Sequence, residues 1–316
     1  MDRTNPYEVA QAIGKLGAWR TAAAHNWALL PAGCGEPWLV NVIAGSGANI
    51  PSRILLFHGW RDFHCYLISR QNGDFWVAAS PEDIAHLEAV FPQGGLPALF
   101  SCAEGYARIA VEKENEPLLA SMLYECFGLF MRFEGDPDLA MKFASERSLF
   151  ARRQGDDGKW SDCALPLPEK QPQFVEQVSL RKDILARAKD LPFDASWKLE
   201  LDFGRLPGVQ TNEQRPRAIY LFAAVNQADG SRFVWRTMAV SGRQDGLVAL
   251  WQSLAPQLLD HIVAAGKVPG EIHVRSMRMV RFLRPLGMQL PFKLVVHAEL
   301  PALDNEVRGS LREKRI

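Results

Sequence analysis

The order of extended and helical patterns in the last third of the chain constrains its fold more than any other feature. From residue 196 the sequence of 316 residues reads as three strands, a long helix, a strand, a helix, a strand and a last helix. The first three strands are predicted at 196–203, 218–226 and 232–240, and Asp229-Gly230 is typical of the tight turn between the second and third. Because strands that alternate with helices share a sheet, this βββαβαβα order predicts a mixed α+β module.

The later elements of this module follow from hydrophobic spacing and from stop signals. The predicted elements are helix 247–265, which Pro256 should kink or split, strand 271–274, helix 277–286, strand 292–298 and helix 302–314.

The first half of the chain predicts a second α+β module. Asn5 and Pro6 are typical of a helix start, so a helix is expected over 6–25. The other predicted elements are strands 38–43 and 53–57, a hairpin of 63–69 with 75–79, helix 81–91, helix 112–133 with Pro117 in its first turn, and helix 138–147.

A proline-containing stretch separates the two modules. We therefore predict an N-terminal α+β domain at 1–165, a linker with a short helix (about 175–189) at 166–190, and a C-terminal domain at 191–316. The formal net charge is zero, but residues 191–316 carry 17 Lys and Arg against 12 Asp and Glu. This excess of positive charge would favour anionic partners, although ordinary surface variation explains it as well.

Cysteine usage and hydropathy indicate the compartment. The five cysteines show no C-x-x-C spacing. There is also no apolar signal region after the first charges and no run approaching the roughly 18–20 apolar residues of a membrane span. We expect a cytoplasmic protein with free thiols and no membrane partner.

Several short motifs carry a resemblance to known domains. The segment from Trp197 to Leu311 resembles a family of bacterial domains of unknown function with an RNase H-like appearance, and the first module resembles the family often placed before it. The motifs in the C-terminal segment are Asp229-Gly230, Val268–Val274, Leu283–Gly287 and Leu300–Asp304. Those in the first module are Leu96–Ser101, Gly105-Tyr106, Glu116–Leu119 and Lys159-Trp160. The resemblance implies an RNase H-like or integrase-like architecture and no established activity.

In RNase H-like enzymes two or three acidic residues bind the catalytic metal ions, so the resemblance directs attention to three positions. Glu200 or Asp202 on the first strand would take the first acidic role, and Glu306 on the last helix is the weaker candidate for the third. The second acid should follow the strand 271–274, where the sequence has Arg275. Because two metal ions need several converging carboxylates, this pattern argues against divalent-metal nuclease chemistry.

Three further arginines follow Arg275 at intervals of three residues, namely Arg278, Arg281 and Arg284. Residues spaced by three drift around a helix and cover a broad face. Such a basic helix is a candidate for binding phosphates or a carboxylate patch, while a solvated helix face explains it equally well.

We find no sequence signature for a cofactor or a metal. His58, His64 and Cys65, with Cys34 upstream, lack a fourth ligand at a characteristic spacing. The leading hypothesis is a non-catalytic binding or interaction protein whose partner is a protein or a nucleic acid. The alternatives are a nucleic-acid-binding protein that uses the Arg275–Arg284 helix, or a metal-dependent nuclease with a rearranged site. The candidate acids for that rearranged site are Asp202, Asp229, Glu271 and Asp304.

Overall fold

The computed structural model describes residues 2–16, 22, 25–44, 51–71, 84–92, 96–169, 178–210, 215–240 and 246–312. These residues form two compact units, one drawn largely from 1–173 and the other largely from 174–316. They contain seven α-helices and thirteen strands in two mixed sheets, which confirms the mixed α+β class. Among them, no helix combines the length and the apolar character that a bilayer crossing requires.

The first unit is built on an eight-stranded sheet. Its strands are β1 (Trp27–Leu30), β2 (Trp38–Ala44), β3 (Pro51–His58), β4 (His86–Val90), β5 (Ala98–Cys102), β6 (Ile109–Ala110), β7 (Ser148–Gln154) and β8 (Trp160–Pro166). They lie in the order β6-β5-β4-β3-β2-β1-β7-β8, and β1 and β7 are parallel. The helices are α1 (Pro6–Gly14), α2 (Trp60–Gln71) and α3 (Glu116–Gly135). Buried side chains of α1, α3 and the sheet form one core.

Long, regular patterns in this unit were predictable. The strands expected at 38–43 and 53–57 are β2 and β3, and the helix expected at 112–133 is α3, with a proline in its first turn. Asn5 caps α1 as expected, since its side chain accepts hydrogen bonds from the amides of Tyr7 and Glu8.

The prediction of a strand at 63–69, as the first half of a hairpin with 75–79, is wrong because these residues belong to α2. Phe63 and Tyr66 are three residues apart and both are buried. Their ring centroids lie 5.7 Å and 4.8 Å from that of Phe57 on β3, a contact for which helical spacing brings both rings to one face. Residues 75–79 lie outside the described part of the chain.

Two predicted helices differ in the structure, one becoming a strand and the other a single turn. Residues 86–90 of the helix expected at 81–91 form β4, which pairs with β3 and β5. The helix expected at 138–147 is reduced to one 3₁₀ turn, Ala140–Lys142. In both places local start signals were outweighed by pairing and packing elsewhere in the sheet. Of the helix expected over 6–25, α1 covers Pro6–Gly14, and residues 17–21, 23 and 24 lie outside the described part of the chain. Strand β1 follows and was not predicted.

The second unit has a five-stranded sheet and shows the predicted βββαβαβα order after a short first helix. Its elements are α4 (Lys182–Lys189), β9 (Phe193–Gln210), β10 (Arg217–Asn226), β11 (Arg232–Met238), α5 (Gly246–Ala265), β12 (Val268–Val274), α6 (Met277–Gly287), β13 (Lys293–Val296) and α7 (Pro301–Arg312). The strands lie in the order β11-β10-β9-β12-β13. Strand β12 is parallel to both β9 and β13, whereas β10 is antiparallel to β9 and β11.

Strand β9 sends alternate side chains to the two faces of this sheet. Leu199, Leu201 and Phe203 enter the larger core, which α4, α5 and α6 complete. The side chains between them, Glu200 and Asp202, therefore point to the opposite face. A smaller apolar cluster on that face includes Leu303 and Val307 of α7. The periodicity of one strand thus places two carboxylates beside the last helix.

Strands β9 and β12 lie close together at Gly270. A Cβ atom added there would lie 2.5 Å from the carbonyl oxygen of Ala195, and the β9–β12 register shifts between Pro269 and Glu271. We expect Gly270→Ala to lower the free energy of unfolding by about 1–3 kcal/mol, because the new methyl group meets backbone that has no rotamer to adopt. Chemical denaturation measures the change. Gly309→Ala is the control, since a Cβ atom there meets no atom within 4 Å, and equal losses in both variants would refute the argument.

Candidate functional site

The candidate site lies where β9, β12 and α7 meet. Strand β9 contributes Asp202, Arg275 follows the last residue of β12, and Asp304 lies in the first turn of α7. The sequence-predicted Arg275 and Asp202 are therefore neighbours, and Asp304 joins them.

Arg275 donates hydrogen bonds to three oxygen atoms. Its Nε donates to Asp202 Oδ2 at 3.2 Å, one terminal nitrogen donates to Asp304 Oδ1 at 2.6 Å, and the other donates to the Ala298 carbonyl at 3.0 Å. Only 8% of the Arg275 side chain is exposed, against 9% for Asp202 and 14% for Asp304. The guanidinium thus joins two carboxylates from different elements in a site that excludes most water, and the planar fork suits this bridging role.

Burial changes the protonation of Asp202. Loss of solvation raises the pKa of this carboxyl from 3.8 to about 6, and the nearby Asp304 adds to the rise. Arg275 and the Phe203 amide, which donates to Asp202 Oδ1 at 2.8 Å, act in the opposite direction. At neutral pH the carboxyl is ionised and pairs with Arg275, but the free-energy cost of its desolvation exceeds the stabilisation from this ion pair.

The raised pKa predicts a pH dependence of stability. Between about pH 4 and pH 6 the folded protein keeps a proton on Asp202 that the unfolded chain has lost. The stabilisation from this group is therefore fully present below pH 4 and is lost as the pH rises through 6. The free energy of unfolding should fall by at most about 3 kcal/mol over this range. We expect Asp202→Asn to remove this part of the pH profile, as measured by denaturation at pH 4, 5, 6 and 7. An unchanged slope in the variant would contradict the assignment.

Glu200 serves the same helix in another way. It is 1% exposed, and its Oε2 accepts a hydrogen bond from the Leu303 amide at 3.0 Å in the first turn of α7. Its Oε1 accepts one from Gln227 Nε2 at 3.3 Å. A carboxylate at a helix N-terminus satisfies an amide that the helix cannot and opposes the positive end of its dipole. Glu200 is thus engaged as a buried helix cap.

The remaining candidate acids have partners of their own. Glu306 Oε1 accepts from Arg232 Nε at 2.6 Å. Asp229 accepts hydrogen bonds from the hydroxyl and the amide of Ser231. The hydroxyl bond is the larger of the two causes that lower the pKa of Asp229. His273 Nε2 lies 2.8 Å from Glu271 Oε2, and this contact, with Lys198 at 3.0 Å, lowers the pKa of Glu271 to about 2. Of the four acids considered for a rearranged site, only Asp202 and Asp304 contact the same group.

The four arginines that follow β12 have different environments. Arg275 lies in the buried network, and the guanidinium carbon of Arg278 lies 4.4 Å from the ring centroid of Trp251 on α5. Arg281 and Arg284 are exposed. Ser276 begins α6 by accepting a hydrogen bond from the Met279 amide at 3.1 Å. The sequence predicted all four on one helix, but Arg275 precedes the N-cap Ser276, so α6 carries Arg278, Arg281 and Arg284. The spacing of three could not distinguish the buried positions from the solvent-facing ones.

A small apolar cavity adjoins the Arg275 network. Its volume is about 30 Å³, and its lining includes Asp202, Asp304, Leu221 and Val307. A cavity of that volume admits a water molecule or two and no nucleotide.

The histidines considered for a metal belong to the first unit. His58 ends β3 and its ring lies 4.8 Å from that of Trp38, while His64 is in α2, where burial lowers its pKa. Across the described ranges, one group of three side chains has potential metal-ligand atoms within 4.8 Å of one another, and it lies in the first unit. Its members, His86, Glu88 and Cys102, were not candidates from the sequence.

Comparison with known proteins adds one match. Residues 184–310 match a family model described as a domain of unknown function, DUF6930. The matched segment extends from α4 to α7 and contains the whole Arg275 network. Neither the curated proteins nor the solved structures gave a significant match.

Proposed function

We propose that the C-terminal module is a degenerate RNase H-like scaffold that acts in binding or interaction and not in catalysis. The single observation that carries this proposal is the Arg275 guanidinium between Asp202 and Asp304. A two-metal nuclease needs carboxylates that converge on cations. Here a permanently charged side chain of the protein itself takes the position between the acids.

The sheet supports the scaffold part of the proposal. The βββαβαβα order is the one that the resemblance implies. Strands β9 and β12 are adjacent and parallel, so both run in the same direction across the sheet. The acidic positions of an RNase H-like enzyme would lie on these two strands and on the last helix. In this chain Glu200 caps α7 and Glu306 binds Arg232, so the expected acids have other contacts.

A nuclease assay tests the proposal. The full chain is incubated with single-stranded RNA, single- and double-stranded DNA, and an RNA–DNA hybrid, with Mg²⁺ or Mn²⁺ in parallel reactions. We expect no cleavage. Glu200→Ala and Glu306→Ala are the diagnostic variants and Arg308→Ala, an exposed residue of α7, is the matched control. Cleavage by the wild type that either acidic variant abolishes and the control retains would refute the non-catalytic assignment.

The second candidate function is nucleic-acid binding by α6. The exposed Arg281 and Arg284 favour it, whereas Arg275 is engaged by carboxylates. Two phosphate contacts give a salt slope of only about −2 for double-stranded DNA. The test compares Arg281→Ala/Arg284→Ala with Arg308→Ala/Arg312→Ala, which removes equal charge from α7. Salt-dependent binding that only the first pair weakens would support this function, and equal weakening by both pairs would assign it to net charge.

The rearranged nuclease is the least supported of the three functions. Asp229 and Glu271 have local partners, so they do not join Asp202 and Asp304 around a common position. The same assay covers this possibility, with Asp304→Asn as its diagnostic variant.

The proposal also includes the domain limits 1–165, 166–190 and 191–316 and a location in the bacterial cytoplasm. Cys34, Cys126 and Cys163 are free thiols, which supports a reducing compartment. The short linker helix α4 packs against the second core through Ile184 and Ala188. Limited proteolysis followed by mass spectrometry tests these domain limits. We expect the first cleavage between residues 166 and 180.

A further inference from the structure

The further inference concerns a polar group on the eight-stranded sheet. Leu87 and Ala89 of β4 lie in the first core. Because side chains alternate along a strand, His86 and Glu88 project from the other face. Cys102 of β5 is directly opposite His86 in the antiparallel register and shares that face. Two neighbouring strands thus bring an imidazole, a carboxylate and a thiol together.

All three side chains are withdrawn from solvent. His86 is 4% exposed, Glu88 is fully buried and Cys102 is 5% exposed. One potential ligand atom from each lies within 4.8 Å of the other two. Three side chains of the types that bind transition metals therefore lie together where little water can compete for an ion.

The contacts of His86 select the tautomer that a metal ligand requires. Its Nδ1 lies 2.7 Å from the carbonyl oxygen of Ile84. A carbonyl can only accept, so Nδ1 carries the proton and Nε2 presents its lone pair. A backbone carbonyl that orients an imidazole in this way is the usual support of a metal-ligating histidine.

Glu88 is oriented from the other side by two arginines. Arg108 Nη1 donates to Oε2 at 3.2 Å, and Arg53 Nη1 lies 3.3 Å from Oε1. In the described part of the chain, Oε1 nevertheless accepts no hydrogen bond with acceptable geometry. The two arginine side chains are 33% and 29% exposed, so solvent screens their charge. They hold the carboxylate in place, and Oε1 is the oxygen that would take a further cation.

We propose that His86 Nε2, Glu88 Oε1 and Cys102 Sγ bind a divalent transition-metal ion, with zinc as the best fit to this mixed ligand set. Three protein ligands and a water molecule give the tetrahedral arrangement that zinc prefers. On binding, the Cys102 thiol transfers its proton to the buffer and three metal–ligand bonds form. The thiolate and the carboxylate then supply two negative charges against the two positive charges of the ion, with Arg53 and Arg108 still beside the carboxylate, and the imidazole remains neutral.

The geometry requires a small contraction. Zinc bonds of about 2.0–2.3 Å hold two ligand atoms no more than about 4.5 Å apart, and closer in a tetrahedron. The group spans up to 4.8 Å. Side-chain torsions of His86 and Cys102 supply this movement, because the two residues are direct neighbours on paired strands.

Cobalt substitution tests the site in the full chain. The protein is stripped with a chelator, titrated with Co²⁺ and followed by absorbance. We expect one equivalent to bind and to produce a thiolate-to-cobalt charge-transfer band. Zinc should displace the cobalt and abolish the band. His86→Gln should weaken binding at least about 100-fold, since even the loss of a residue that only supports a ligand costs 10–100-fold.

Two other cysteines provide matched controls. Cys102→Ser should abolish the band, whereas Cys126→Ser, at a fully buried thiol, and Cys34→Ser, at an exposed one, should retain it. A wild-type protein without the band would overturn the proposal. A band that survives Cys102→Ser and disappears with Cys34→Ser would also overturn it.

A measurement on the wild type covers the case in which Cys102→Ser does not fold. Zinc should slow the alkylation of Cys102, mapped by peptide mass spectrometry, while the rate at the partly exposed Cys163 stays constant. Equal rates at Cys102 with and without zinc would contradict the proposed site.

Discussion

Arg275→Ala is expected to lower the free energy of unfolding by about 3–5 kcal/mol, the cost of leaving buried charges without their partner. The substitution removes the cation between Asp202 and Asp304 and leaves the Ala298 carbonyl without that donor. Both carboxylates are largely shielded from water, so solvation does not replace the lost contacts. Chemical denaturation followed by far-UV circular dichroism measures the change.

The pH dependence separates this explanation from a general packing defect. Protonation of Asp202, whose pKa is raised to about 6, removes one of the uncompensated charges, so the loss caused by Arg275→Ala should be smaller at pH 4 than at pH 7. Adding Asp202→Asn should recover part of the stability at pH 7, as a double-mutant cycle would measure. Arg281→Ala, at an exposed arginine of the neighbouring helix, should change stability by no more than about 0.5 kcal/mol. A loss that is the same at both pH values would show that charge is not its cause.

The second large effect is expected from Trp251→Ala, which should cost about 3–5 kcal/mol. Trp251 is 2% exposed and its ring lies 5.0 Å from that of Phe282 and 4.9 Å from that of Phe203. It therefore links α5, α6 and β9 in the larger core, and its removal leaves a cavity that fixed neighbours cannot fill. Thermal and chemical denaturation of the full chain measure the loss.

Arg278→Ala distinguishes the core role of Trp251 from its contact with this cation. Because the guanidinium lies over the Trp251 ring, its removal should cost about 0.5–1 kcal/mol, much less than removal of the ring. Trp251→Phe should fall between the two variants. If Arg278→Ala destabilised the protein as much as Trp251→Ala, the cation–π contact would be the main contribution and the packing argument would be wrong.

The second sheet was readable from the sequence because its elements are long and its turns are explicit. The Asp229-Gly230 turn and the spacing of apolar residues in α5 each act locally. Pro256 shows the limit of such rules, since α5 continues through it without ending. Buried side chains on both sides of the proline hold the helix together, although the proline alone would have divided it.

The Arg275 network was only half readable. The arginine itself was visible as an unusual residue after a strand, but its contact with Asp304 joins positions 29 residues apart. The pairing depends on how α7 returns to the sheet, which no local pattern specifies. The exposure of the arginines at and after position 275 is set by the same tertiary packing. The sequence alone therefore could not tell which of the four are buried and which are exposed.

The polar group on β4 and β5 was missed for a different reason. A helix over 81–91 would turn His86 and Glu88 away from each other, whereas a strand places residues two apart on one face. Cys102 then joins them through strand pairing. The wrong assignment of this segment as a helix therefore concealed a candidate ligand set, because side chains that share a face have a different spacing in a helix and in a strand.

The Glu200 cap bears on how the second unit can change in evolution. An acidic residue at position 275 would meet Asp202 and Asp304 without a cation, and Glu200 would still be occupied with the first turn of α7. Single substitutions toward a metal site would thus lower stability before any activity could compensate, and most proteins have only a small stability reserve. The contacts that Glu200 and Arg275 make beside α7 therefore resist single substitutions to acidic residues, whereas exposed positions of the same unit can change at little cost in stability.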